Sequence, residues 1–158
     1  MSTAKSTLHL TTKPDTISWP ESHYVFIEKI GPFQNTAQQA WNELQNIIPK
    51  ICEHNQITSY TSQYKVGPQI YRAGVSLAAE PRSLPAGVQH FKFQGGKYSR
   101  FILTGPYTNL PEASGRVFQL VAEQKIPLRE DFYLENYVND PNTTPEAELK
   151  TEILIPTA

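Results

Sequence analysis

Residues 23–35, HYVFIEKIGPFQN, and residues 97–109, KYSRFILTGPYTN, align without gaps at an offset of 74, with four of thirteen positions identical. In both, an apolar, β-favouring run ends at Gly-Pro-aromatic, Gly31-Pro32-Phe33 and Gly105-Pro106-Tyr107. Proline fixes φ there and has no amide to offer a neighbouring strand. Asn35 with Gln38, and Asn109 with Glu112, then have capping-box spacing, so each asparagine is expected to start a helix. A self-similar pair of this kind sets the organisation of the rest of the chain.

Working outward, Trp41, Leu44, Ile48 and Ile51 form a helical stripe, as do Ala113, Val117, Leu120 and Val121. Pro49 is expected to kink or end the first helix, whereas Pro111 falls in the first turn of the second, where a missing amide costs little. Extended runs follow at about 57–65 and 70–78, and again at about 131–138 and 148–156. A leading segment near 7–12 and the run 88–94, joined to Tyr98 through Gly95-Gly96, add edge or hairpin strands. The order is strand, helix, strand, strand, given twice: repeat 1 over about 20–80 and repeat 2 over about 88–156, within one domain spanning 1–158.

The expected fold is α+β: a tandem β-α-β-β repeat with pseudo-twofold symmetry, a mostly antiparallel sheet, two main helices on one face and a ligand groove. Two helices cannot cover both faces of such a sheet, so the second face is expected to be wet or a cleft.

Composition narrows the function. Of 158 residues, 39% are apolar, enough for one well-buried core, and 14 basic against 15 acidic residues leave no positive footprint for direct nucleic-acid binding. Cys52 is the single cysteine and, beside Ile51, reads as a buried helical thiol in a reducing compartment. The amino terminus lacks a signal-peptide core and no run reaches membrane-span length, so a cytoplasmic protein without membrane attachment is expected. His9, His23, His54 and His90 show no metal spacing, and neither a metal nor another cofactor is expected.

The chemistry concentrates in YLENY, residues 133–137. In an extended chain Tyr133, Glu135 and Tyr137 share one face and Leu134 and Asn136 the other. The plain reading is a solvated sheet face with cross-strand contacts worth about 0.2–1 kcal/mol each. The alternative is the floor of a binding site, with an unpaired carboxylate between rings that offer surface to a planar or quaternary cation, each contact worth about 0.5–2 kcal/mol. Trp19, Tyr71, Phe93 and Tyr98 could line the same groove or belong to the core, and Trp41 reads as helix core. Tyr24 and Tyr98, at equivalent repeat positions, suggest a shared packing role.

The doubled GPF/GPY pattern, followed by FYLENYVNDPNTTPEAELKTEILIP, resembles the GyrI-like small-molecule-binding domain, the effector-binding module of AraC-type and MerR-type multidrug regulators, over roughly residues 20–156. The resemblance implies an aromatic-lined groove for lipophilic, often cationic small molecules. Glu135 stands at the position of the family's counter-ion glutamate and Tyr137 at the aromatic after it. The ligand-binding set expected on these grounds is Glu135, Tyr137, Tyr133, Tyr71, Trp19 and Phe93.

No segment remains for a helix-turn-helix, so this chain resembles the free-standing members, and any regulatory role would need a protein partner. Three functions follow from the resemblance. The first is binding for sequestration or effector sensing. The second is hydrolysis of strained cyclopropane-type genotoxins, with Glu135 as catalytic general base. The third is inhibition of a protein target such as a topoisomerase through the Pro-bounded loop 139–146. Whether the chain is an enzyme is left open by the sequence.

Overall fold

The computed structural model describes residues 8–158. In chain order its elements are β1 (His9–Leu10), β2 (Asp15–Trp19), β3 (Ser22–Ile30), α1 (Phe33–Cys52), β4 (Ile57–Lys65), β5 (Ile70–Leu77), β6 (Gln89–Phe93), β7 (Gly96–Thr104), α2 (Leu110–Glu123), β8 (Tyr133–Tyr137) and β9 (Lys150–Pro156). The leading extended segment is strand only at His9–Leu10, and residue 7 of that expectation lies outside the described residues. The fold is α+β, as expected. The nine strands form one sheet in the order β1-β7-β9-β8-β4-β5-β3-β6, with β2 also on β7, and every pairing is antiparallel.

That order reads outward from a central β8–β4 pair in matching steps: β9 then β7 on one side, β5 then β3 on the other. Cross-strand register carries Ile27 through Ala73 to Ser62, and Phe101 through Ile153 to Glu135. The offset of 74 therefore holds along β3 and β7 and shortens by one in β4 and β8.

Neither helix forms the expected capping box: α1 begins directly after Gly31-Pro32, and α2 follows a 3-10 turn, Tyr107–Asn109, that begins after Gly105-Pro106. Pro32 and Pro106 are extended, no side-chain cap bond forms, and it is the Pro32 carbonyl that accepts the amides of Asn35 (2.9 Å) and Thr36 (3.0 Å). A backbone acceptor already present leaves the asparagine nothing to cap. Nor does Pro49 end α1, which runs on to Cys52. The amide that proline lacks would have served Gln45, and both residues are on the exposed side, where water can take the carbonyl. Cys52 is exposed rather than buried, because it sits one helical step, about 100° around the axis, from the buried Ile51.

The helices share one sheet face. Across β3 and β5, α1 packs Ala40, Leu44 and Ile51 on Val25, Ile27, Ala73 and Val75. On β7 and β9, α2 packs Ala113, Val117, Leu120 and Val121 against Phe101, Leu103, Ile153 and Ile155. Between them lies the β4–β8 pair.

The opposite face is neither wet nor a cleft. It holds a third core of Tyr24, Phe26, Phe93, Tyr98, Leu134 and Leu154, with Trp19 and Phe91 packed on it. The connections explain why no helix is needed there. On a flat sheet β6 and β7 would stand about 29 Å apart at the usual strand spacing. Only Gln94 and Gly95 separate Phe93 from Gly96, a reach of about 11 Å at most. The sheet must therefore curl until its two ends meet, wrapping this core in its own concave side.

Gly95-Gly96 is thus a link between opposite ends of the sheet and not a hairpin turn. The same gap is crossed by Pro20-Glu21 between β2 and β3, and a Cβ on Gly95 would fall 2.8 Å from Pro20 C and closer still to the Trp19 carbonyl oxygen.

Inside the curl Tyr24 donates to the Thr61 carbonyl at 2.6 Å, and its ring lies so close to Gly74 that a Cβ there would meet Tyr24 Cε1 at 2.6 Å. Arg72 closes the third core on one side, its guanidinium 4.1 Å from the Phe132 ring and 4.6 Å from that of Phe26, paired with Glu28 at 2.8 Å. Arg72→Ala is expected to cost about 1–3 kcal/mol and lower the melting temperature by several degrees. Arg72→Lys is expected to recover little of this, because an ammonium lacks the planar stacking surface. Thermal denaturation followed by circular dichroism checks both variants.

Candidate functional site

Alternation along β8 sends Leu134 into the concave core and Glu135 to the helix face. Register then places Glu135 beside Ser62 of β4 and Ile153 of β9, with Tyr64 facing Tyr133 on one side and Tyr60 facing Tyr137 on the other. The single acid sits at the middle of the central strand pair, flanked by tyrosines from both strands.

Residues from both helices lean over it. From α2, Ser114 Oγ donates to Glu135 Oε2 at 3.4 Å. The Tyr137 hydroxyl donates to Oε1 at 2.9 Å. A phenol has one proton, so Ser62 Oγ, 3.0 Å from Tyr137 Oη, is the donor of that pair. Beyond them Trp41 Nε1 of α1 donates to Tyr71 Oη at 2.8 Å.

Rings wall the carboxylate at two ends. Trp41 and Tyr107 each meet Tyr137 edge-on at 5.4 Å. At the other end Tyr133 is 5.7 Å from Tyr64 and 5.4 Å from Phe118, and Phe33 is 5.6 Å from Tyr64. Phe33, Trp41, Tyr107, Phe118, Tyr133 and Tyr137 are all half-buried, although they stand between two helices.

Glu135 itself is 9% exposed and forms no ion pair among the described residues. Burial pushes its pKa above the ordinary glutamate value, and the hydrogen bonds from Tyr137 and Ser114, with the Ser62 hydroxyl nearby, offset part of that rise. Desolvation also raises the phenols around it, with the carboxylate's charge adding to the effect: Tyr137 and Tyr64 go well above the usual tyrosine value and Tyr71 to about 12. These hydroxyls stay protonated at neutral pH, and that of Tyr137 donates to Glu135.

Of the six expected ligand residues, the fold brings together Glu135, Tyr137, Tyr133 and Tyr71. Trp19 and Phe93 are corrected: both pack in the third core, on the other face of the sheet. Their strands lie at the closing ends of the curl, where aromatic bulk fills the concave side. Tyr24 and Tyr98 share that core.

Sequence reasoning missed Ser62, Tyr64, Ser114, Phe33, Tyr107 and Phe118, and it read Trp41 as core. The aromatic of each Gly-Pro-aromatic unit was a usable signal. Phe33 and Tyr107, at equivalent positions, stand over opposite ends of the acid.

Among the described residues no group of three His, Cys, Asp or Glu is placed to hold a metal ion, and no helix is long and apolar enough to cross a membrane.

The chain belongs to a family of small-molecule-binding domains: the model of the GyrI-like small molecule binding domain matches residues 12–158. Solved structures share the fold. The C-terminal domain of EcmrR superposes with a TM-score of 0.76 at 15% identity, over 97% of this chain and 99% of that one. SAV2435 bound to tetraphenylphosphonium gives 0.72 at 12% identity, over 92% and 94%. A hydrolase from Listeria innocua gives 0.61 at 13% identity, over 93% and 92%. No curated protein sequence matches the chain significantly.

Proposed function

We propose that this domain binds lipophilic, cationic small molecules between α1 and α2, with Glu135 as counter-ion and the surrounding rings as walls, for sequestration or as the sensing part of a regulator. The observation that carries this reading is the Glu135 carboxylate, buried among tyrosines with no cationic partner among the described residues. Ionising such a group costs several kcal/mol, and a bound cation would offset that cost. SAV2435, which shares the fold, is bound to tetraphenylphosphonium, a lipophilic cation.

Titration with a rhodamine dye, followed by fluorescence anisotropy, tests the reading. The dye is expected to bind, and Glu135→Gln to weaken binding by at least about tenfold. Equal binding by the variant would remove the counter-ion. Affinity is also expected to rise with pH through the folded-state pKa of Glu135, since only the ionised form attracts the cation, and to become flat in Glu135→Gln.

The raised pKa favours one second reading, in which Glu135 is a general base acting on water beside a strained electrophile. Multiple turnover of a cyclopropane-bearing substrate, lost in Glu135→Gln while binding persists, would support it. Stoichiometric binding alone would dismiss it.

A further inference from the structure

We propose that the site takes a protonated amine, held through its N–H groups, in preference to a fully substituted onium ion; this rests on the reading of Glu135 as the binding anion. The two ends of the carboxylate are unequal. Oε1 is well served, by Tyr137 at 2.9 Å with Ser62 behind it. Among the described residues Oε2 receives only the long 3.4 Å bond from Ser114, at the far limit of a useful hydrogen bond.

Next to Ser114 lies the hydroxyl of Tyr64, buried and in no well-formed hydrogen bond among the described residues, with the Ser114 hydroxyl as its polar neighbour. Buried polar groups are rarely left so. Tyr64 belongs to β4, where its cross-strand neighbour is Tyr133, two residues along from the acid.

Glu135 Oε2, Ser114 Oγ and Tyr64 Oη therefore gather at one end of the acid, walled by Phe33, Phe118 and Tyr133. An alkylammonium presents three N–H donors and no acceptor. One carboxylate oxygen and two hydroxyl oxygens can accept all three. An ion with four carbon substituents satisfies none of them and leaves these oxygens against hydrocarbon, and a site with acceptors so placed rejects a ligand that lacks the donors.

The test is calorimetric titration, near neutral pH, with 1-naphthylmethylammonium and its N,N,N-trimethyl analogue, which differ only in their N–H groups and the methyls that replace them. The ammonium is expected to bind at least about tenfold more tightly. Tyr64→Phe and, separately, Ser114→Ala are each expected to bring the ratio towards unity by weakening the ammonium more than the trimethyl ion. Equal affinities in the parent protein, or a ratio unmoved by both substitutions, would overturn the proposal. If both ions bind equally and both are weakened by Glu135→Gln, the N–H preference falls and the counter-ion stands. If neither binds, both fall.

Discussion

Gly95→Ala is expected to cost about 3–5 kcal/mol, a large share of the stability of a domain of this size. Two effects add. The residue sits at φ +73, a conformation that L side chains rarely adopt. Its new Cβ would also press into the Trp19 carbonyl and lie 2.8 Å from Pro20 C. Backbone cannot rotate away as a side chain can, so the two links that cross at the closure of the sheet would have to separate, opening the aromatic core beneath them. Gly67→Ala is the control: nothing lies within 4 Å of a Cβ there, and a change within about 0.5 kcal/mol is expected. Denaturant titration of both variants checks this, and a Gly95→Ala midpoint near the parent's would refute the closure argument.

Glu135→Gln is expected to act on stability in the opposite sense to its effect on binding. The folded-state pKa of Glu135 is raised by burial above its unfolded value. Below the unfolded pKa the acid is protonated in both states and contributes no difference. As pH rises through the folded pKa, the folded protein must ionise a buried group, so stability falls, and the whole cost is present above that point. Glutamine keeps an acceptor for Tyr137 and offers an amide to Ser114, with no charge. At pH 8 the variant should be the more stable and melt a few degrees higher, and the gap should close at pH 4. A variant that melts lower at both pH values would mean that the carboxylate stabilises the unliganded fold.

The run of periodicities made the elements legible. Ile57–Lys65 is β4, and all four residues of the stripe Ala113, Val117, Leu120 and Val121 are buried in α2. Local pattern could not reveal the closure of the sheet, because that depends on which strands pair across the whole chain. Gly95-Gly96 has the composition of a hairpin turn and serves as a crossover, and Trp19 and Phe93 were assigned to the groove for want of that fact. The acid stood out because β8 alternates cleanly. Its polar partners did not: Ser62 reaches it through β4–β8 register and Ser114 through helix docking, neither of which leaves a mark in sequence spacing.

Whether an acid held out of water awaits a cation can be read from the Glu135 side-chain carboxyl carbon, followed by NMR across pH and assigned by its loss in Glu135→Gln. Its midpoint is expected above the ordinary glutamate value in the free protein, falling when a saturating cationic amine is added. A midpoint at the ordinary value that the ligand leaves unmoved would contradict it.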